Sequence, residues 1–242
     1  MRIDILTIFP NMFNGPWAES ILRRALDRGL VEINVHDLRQ WTHDRHHTVD
    51  DTPYGGGPGM IFKPDPIFEA VDQIAAPGSE IVLLTPNGQL LQQSLVRELA
   101  AIDQIVLICG HYEGIDDRVG DHLATRLISI GDYVLSGGEI PAMVLTDAIV
   151  RLLPGVLGCA DSSREEAHSE GLLEYPQYTR PPEYRGHLVP DVVKSGDHQE
   201  LARWQRREAL RRTRNRRPDL LRPEDWEEMR KLGLLDEARS DQ

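Results

Sequence analysis

Cysteine is scarce in this chain: Cys109 and Cys159 are its two cysteines in 242 residues. Two cannot make the disulfide framework of a small secreted domain. Neither lies in a Cys-x-x-Cys pair, which removes the commonest structural zinc pattern. No run approaches the roughly 18 consecutive apolar residues of a membrane span. The opening MRIDILTIFPNMF is an apolar block too short for a signal peptide and lacks a small-residue cleavage site. It reads as a first β-strand, and the expected compartment is the cytoplasm. There is no internal repeat and no nucleophile elbow, so acyl-transfer hydrolysis is set aside. What remains is an ordinary globular composition, 40% hydrophobic, long enough for one large domain or two modest ones.

The net charge of −12 argues at first against a nucleic-acid partner, but charge is unevenly spread. Residues 1–157 carry a net −10, 158–174 a net −4, 175–217 a net +6 and 218–242 a net −4. The basic island culminates in RWQRREALRRTRNRR, residues 203–217, with eight arginines and one acid, Glu208. With no compensating acids nearby in sequence, it reads as a nucleic-acid footprint rather than a solvated face. Arginine is the better fork for phosphates, and Trp204 lies among them.

Residues 1–157 alternate strand and helix signals. RIDILTIF and VEINVHDL alternate apolar and polar positions. EIVLLTP and QIVLICG are short continuous apolar runs that suit strands buried on both faces of a parallel sheet. Helices are expected in WAESILRRALDRGL, DPIFEAVDQIAAPG, GQLLQQSLVRELAA and GEIPAMVLTDAIVRLLPG. This alternation predicts an α/β domain with a mainly parallel sheet. Residues 158–171 are small, polar and acidic, and read as a linker. Residues 172–242 read as a small helical domain, with irregular chain up to Gln199, a basic helix stopping before Pro218, and a last helix begun near Pro223.

Glycine is where the chemistry gathers. DDTPYGGGPGM, residues 50–60, has neither the lysine of a phosphate loop nor the spacing of a dinucleotide fingerprint. It remains either a structural turn or a loop whose backbone passes close to a ligand. In SIGDYVLSGGEIPAM, Ser136 and Glu139 have capping-box spacing, which would put Gly137 and Gly138 in the first turn of a helix. CGHYEGIDDRV follows a buried strand. Ligands of open α/β sheets bind beyond the carboxyl ends of the strands. The exits TPNG, CGHYEG and SIGDYVLSGG are all polar and glycine-bearing, so they can converge on one pocket. His43, His46 and His47 invite a metal reading, but no third anchor is evident and they read as solvated loop residues. Cys109 ends a buried strand, where thiols are usually inert. A ligand pocket beside a basic arm points to an enzyme that modifies RNA or DNA.

TVDDTPYGGGPGM, CGHYEGID, SIGDYVLSGGE, PGVLG and YPQYTRPPEYRG occur in that order over about residues 1–220. On these motifs the chain resembles the bacterial tRNA (guanine-N1)-methyltransferases that act at position 37, members of the SPOUT methyltransferases. The resemblance implies a parallel α/β domain with a deep trefoil knot over 1–157, a linker over 158–171 and a helical tRNA-binding domain over 172–242. It implies a homodimer with the active site at the subunit interface. It implies S-adenosylmethionine as methyl donor, held at Leu84, Thr85 and Pro86, at Gly110, Tyr112 and Glu113, at Ser129, Ile130, Gly131, Tyr133 and Leu135, and at Gly137, Gly138 and Pro141. Asp50, Gly56, Gly57 and Gly59 would lie near the target guanine. Arg151 would face its O6, and Glu166 would be the base where the family carries an aspartate, with Glu165 able to substitute. Ala167 stands where a serine is common. Tyr178, Arg180, Arg203, Arg207 and Arg211 would contact a tRNA with guanine at positions 36 and 37. No protein-held metal is expected, though Mg²⁺ helps the family. The competing readings are a SPOUT relative with another RNA target and an RNA-binding protein without activity.

Overall fold

The computed structural model describes residues 1–157 and 171–235. Internal contacts divide the chain into two units, Met1–Gly158 and Cys159–Gln242. The linker expected at 158–171 lies, apart from Gly171, outside the described residues. Among the described residues no helix is long and apolar enough to cross a membrane.

In the first unit the strands are β1 (Arg2–Thr7), β2 (Glu32–Asp37), β3 (Asp50–Asp51), β4 (Ile61–Phe62), β5 (Glu80–Leu90), β6 (Gln104–Cys109), β7 (Gly114–Ile115) and β8 (Arg126–Ser129). The helices are α1 (Ser20–Asp27), α2 (Pro64–Ile74), α3 (Gln93–Ala100), α4 (Asp117–His122) and α5 (Glu139–Val150). Five strands form one parallel sheet in the order β2-β1-β6-β5-β8. The fold is therefore α/β with a parallel central sheet, as the alternation of signals required.

Strand β6 shows why its sequence is apolar from Ile105 onward. Ile105, Leu107 and Cys109 enter one core with Leu22, Leu99, Leu145 and Ile149 of α1, α3 and α5. Val106 and Ile108 enter the other, with Ile67 and Val71 of α2 and Val119 of α4. Side chains alternate across a strand, so a strand covered by helices on both sides has no polar face to show. Asp4 is the exception inside β1. Its fully buried carboxylate accepts hydrogen bonds from Gln104 Nε2 at 2.7 Å and Arg2 Nη2 at 3.0 Å, and lies 2.9 Å from His36 Nε2. Burial pushes its pKa up, but the bonds from His36, Gln104 and Arg2 outweigh it and hold the group below its ordinary value.

Two elements depart from expectation. Strand β5 runs on through TPNGQL, and α3 starts only at Gln93. Its residues 85–88 make an excursion, because Leu84 and Gln89 both pair with Ile128 of β8. The capping box of Ser136 and Glu139 does not form: the N-cap of α5 is Gly138, without a side-chain cap. Gly137 and Gly138 thus precede the helix.

The second unit holds a two-stranded hairpin, β9 (Glu183–Tyr184) and β10 (His187–Leu188), then α6 (Asp191–Lys194), α7 (His198–Arg216) and α8 (Pro223–Lys231). The segment read as irregular therefore contains a hairpin, turning on Arg185 and Gly186, both at positive φ. Asp197 caps α7 by accepting from the N–H groups of Gln199 and Glu200. Leu172, Ala209, Leu210, Met229 and Leu234 make a small core.

Candidate functional site

Strands β6, β5 and β8 are adjacent and parallel, so their carboxyl ends open on the same edge. The three exits close around a cavity of about 1350 Å³. It is lined by Leu84, Thr85 and Pro86 from β5, and by Gly110, Tyr112 and Glu113 beyond β6. Ser129, Ile130, Gly131, Tyr133, Leu135, Gly137 and Gly138 come from β8 and its exit, and Pro141 from α5. Every residue expected around the methyl donor thus meets in one cavity.

The exits are held by local bonds. Ser129 Oγ donates to the carbonyl of Gly131 at 3.0 Å and accepts its N–H at 3.2 Å. The Gly138 N–H donates to the Gly110 carbonyl at 2.8 Å. A Cβ on Gly138 would stand 2.7 Å from Cys109 Cα and 3.0 Å from Gly110 N. Only glycine lets these two backbones cross so closely. Tyr112 takes φ +60, a sparsely populated conformation for a residue with a side chain. Its ring lies edge-on to Phe62 and His111, at centroid distances of 5.3 and 5.4 Å. Burial, and then the charge of Asp50, push its hydroxyl pKa up.

The second glycine cluster is fastened to the same edge. β3, β4 and β7 form a three-stranded sheet that joins the arms of the 50–60 loop to the β6 exit. The N–H of Glu113 donates to the Met60 carbonyl at 3.2 Å, and that of Asp116 to the Phe62 carbonyl at 3.1 Å. Asp50 pairs with Phe62 within that sheet. Gly56 and Gly57 have positive φ; Gly56 stands in open space and Gly57 beside Pro53, whereas Gly59 lies against the Glu113 side chain. These residues do not line the cavity, but Asp51, Thr52, Pro53 and the fully exposed Tyr54 do. The loop is therefore a rim that leans over the cavity, not a part of its floor.

Acids outnumber bases on the wall: Asp51, Asp65, Glu113, Asp116, Asp117 and Asp121 against Lys63 and Arg118. Apolar surface comes from Leu84, Leu127, Ile130 and Leu135. Such a cavity favours a ligand that is part aromatic or apolar and part cationic. Cys109, directly beneath, is fully buried, and burial raises its thiol pKa well above the ordinary value. It is no nucleophile here. His43 lies 2.8 Å from Glu69, and His47 3.0 Å from the Thr42 hydroxyl.

The model of the family described as tRNA (Guanine-1)-methyltransferase TrmD matches residues 1–223. A tRNA (guanine-N(1)-)-methyltransferase of Dictyoglomus turgidum is 58% identical over 221 residues, covering 91% of this chain and 90% of that one. One of Chloroflexus aurantiacus is 58% identical over 225 residues, covering 91% and 88%. One of Citrifermentans bemidjiense is 48% identical, covering 100% and 98%. The chain belongs to the TrmD family.

Of the residues expected at the target guanine, Arg151 is not among those that line this cavity. Glu166 lies outside the described residues, as does Glu165. Arg151 is the C-cap of α5. The glycine loops stand at the other end of that helix, whose 12 residues span about 18 Å at 1.5 Å per residue.

In the second unit of this TrmD-family chain, Tyr178 is exposed, with its ring 6.4 Å from that of Trp204. Arg180, Arg203 and Arg207 are exposed. Arg211 is held by Glu208 at 2.7 Å. The basic island has more compensating acids than its sequence neighbourhood suggests. Arg206 pairs with Glu228 at 2.6 Å and Asp225 at 3.2 Å, and Arg217 with Asp219 at 2.7 Å. Arg214 is buried and donates to the Leu234 carbonyl. Chain from 218 onward folds back on the island, which sequence distance conceals.

Sequence reasoning also missed Thr7, His111 and Glu139. His111 lines the cavity, and Glu139 is buried behind it at 1% exposure. The apparent capping box masked the second, and only a pairing across 132 residues explains it.

Proposed function

We propose that this chain transfers a methyl group from S-adenosylmethionine to N1 of guanine 37 in a tRNA with guanine at positions 36 and 37. The observation that carries the reading is the closure of three glycine-bearing strand exits around one cavity in a TrmD-family chain. The cavity fits the donor: apolar walls and glycine backbone suit an adenosine, and the acidic lining suits a cationic sulfonium and amino group. When bound, S-adenosylmethionine supplies an electrophilic methyl group. The 50–60 loop on the rim would bring its backbone up to a guanine taken out of its stack.

Guanine N1 carries a weakly acidic proton, and removing it puts negative charge on O6. A guanidinium at O6 stabilises that charge, and Arg151 is proposed for this role. A carboxylate takes the proton, and Glu166 is proposed as that base. Arg151 stands a helix length from the cavity of its own chain, which supports a homodimer in which it serves the partner's cavity. Ile140 and Val144, one turn apart on α5, are exposed together with Met12 and Val134. An apolar helix with such an open face is what a second copy would cover. The close crossing of residues 137–138 on 109–110 is consistent with a trefoil knot. Tyr178, Arg180 and the exposed Arg203 and Arg207 are proposed as tRNA contacts, and the cytoplasm as the compartment. Among the described residues no group of three His, Cys, Asp or Glu is placed to hold a metal. Mg²⁺ is proposed only as an activator of the transfer.

The test is transfer of labelled methyl to a transcript with guanine at 36 and 37, with a transcript altered at 37 as control. Label confined to guanine 37, and lost in Glu166→Gln, is the expected result. Donor binding without label on either transcript would leave an RNA-binding relative, and label at another base would leave a relative with a different target.

A further inference from the structure

Glu139 takes no part in the cavity wall, yet its surroundings are built around it. Its carboxylate is 1% exposed at the first position of α5. The Thr7 hydroxyl, fully buried at the end of β1, donates to Oε1 at 2.8 Å. That hydroxyl in turn accepts the N–H of Phe9 at 2.9 Å. On the other side His111 Nδ1 lies 3.7 Å from Oε2, beyond hydrogen-bond distance, and has no hydrogen-bond partner though it is shielded from solvent. The Phe9 ring meets the His111 ring edge-on at 4.9 Å. A Cβ on Gly137 would overlap both the Glu139 carboxylate and the His111 ring. His111 and Gly137 also form a backbone bridge. One carboxylate therefore touches the end of β1, the β6 exit and the entry to α5.

Burying a carboxylate is expensive unless hydrogen bonds and charge compensate it. The free N–H groups of the first turn of α5 and its positive dipole end favour a negative charge there. A core position would be filled more cheaply by an apolar residue. What the carboxylate adds is direction: it fixes the Thr7 hydroxyl on one side and presents a negative charge to the His111 ring on the other. We propose that Glu139, with Thr7 and His111, is the positioning group of the donor cavity. It holds Gly110, Gly137 and Gly138 at the spacing the donor needs, without touching the reacting atoms. This inference rests on the methyl-transfer reading of the same cavity.

The test compares Thr7→Val, Thr7→Ser and Glu139→Gln with the unaltered full-length chain. Affinity for S-adenosylmethionine is measured by calorimetry, and kcat and both KM values by methyl transfer to tRNA. Thermal melting without donor reports on folding. Thr7→Val keeps the shape and removes the donor hydroxyl, Thr7→Ser restores it, and Glu139→Gln keeps an acceptor for Thr7 while removing the charge. The expected result is donor affinity weakened about 10-fold or more in Thr7→Val and Glu139→Gln, with kcat at saturating donor within about threefold. Thr7→Ser should bind within about twofold of the unaltered chain. Three results would overturn the inference: unchanged donor affinity in both disruptive variants, a loss that Thr7→Ser shares, or a fall in kcat with donor KM unchanged. Weakened binding that merely follows a lost folded fraction would also overturn it. An unaltered chain that binds no S-adenosylmethionine would instead bring down the methyl-transfer reading, and this inference with it.

Discussion

Gly138→Ala puts a methyl group where two backbones cross beneath the cavity. The new carbon would stand 2.7 Å from Cys109 Cα, 3.0 Å from Gly110 N and 3.2 Å from the Cys109 carbonyl carbon. Carbon atoms pack at about 3.5–4.0 Å, so the loops must part by about 1 Å. All three neighbours are backbone atoms, and none can turn aside as a side chain would. Overpacking of this kind costs about 1–3 kcal/mol. Parting the loops also breaks the 2.8 Å bond from Gly138 N–H to the Gly110 carbonyl, worth about 1 kcal/mol. The total is about 2–4 kcal/mol, which for a unit of this size lowers the melting temperature by roughly 5–15 °C. A displacement of about 1 Å at a positioned site can cost about 10²-fold, so donor affinity should fall by about that factor. Urea unfolding followed by circular dichroism gives the first quantity and donor calorimetry the second. Gly78→Ala is the control. It has φ +84 with open space around it, so it should lose about 1–2 kcal/mol of stability to backbone strain and leave donor affinity alone. A Gly138→Ala protein as stable as the unaltered chain, with the same donor affinity, would refute the crossing as the support of the cavity.

Asp4 makes stability depend on acid. Its native pKa lies below the ordinary 3.8, so its contribution is full above that value. The contribution is lost as pH falls through 3.8 towards the native value. Asp4→Asn should flatten the urea midpoint between about pH 5 and 2 relative to the unaltered chain, and an unchanged slope would count against the network. Arg203→Ala should weaken tRNA binding at every sequence tested and reduce the slope of log K against log salt by about 1. A filter-binding titration at several salt concentrations reads both. Arg151→Ala alone should lower kcat about 10²–10³-fold. Mixed and re-formed with Gly138→Ala it should regain activity, up to about a quarter of the unaltered level, if the proposed homodimer forms, because one site in each mixed pair is then whole. No recovery would put Arg151 in the cavity of its own chain.

The central sheet was legible because β1 and β2 alternate apolar and polar residues and the inner strands carry apolar runs, as in IVLIC of β6. The cavity was legible because glycine marks each strand exit. Three things were hidden. The sheet of β3, β4 and β7 is made of two-residue strands, too short for any periodicity. Glu139 follows Ser136 at capping-box spacing, but its partner, Thr7, comes from the far end of the domain. The acids that neutralise Arg206 sit at 225 and 228 on another helix, so a count along the chain overstates the free charge of the island.

The strand order also sets a timetable for synthesis. β1 lies inside the sheet, between β2 and β6, and its partner β6 begins 102 residues after β1 does. At about 5–20 residues per second, β1 waits roughly 5–20 s on the ribosome with one edge unpaired. An unpaired apolar edge recruits other chains unless charge interrupts it. β1 carries Arg2 and Asp4 within RIDILT. Before β6 arrives, a charged side chain on the unpaired edge of β1 disfavours pairing with other chains. Afterwards Gln104, at the first residue of β6, meets the Asp4 carboxylate and ties β1 to its second neighbour. The same side chain is a gatekeeper to the nascent chain and a bolt to the finished one.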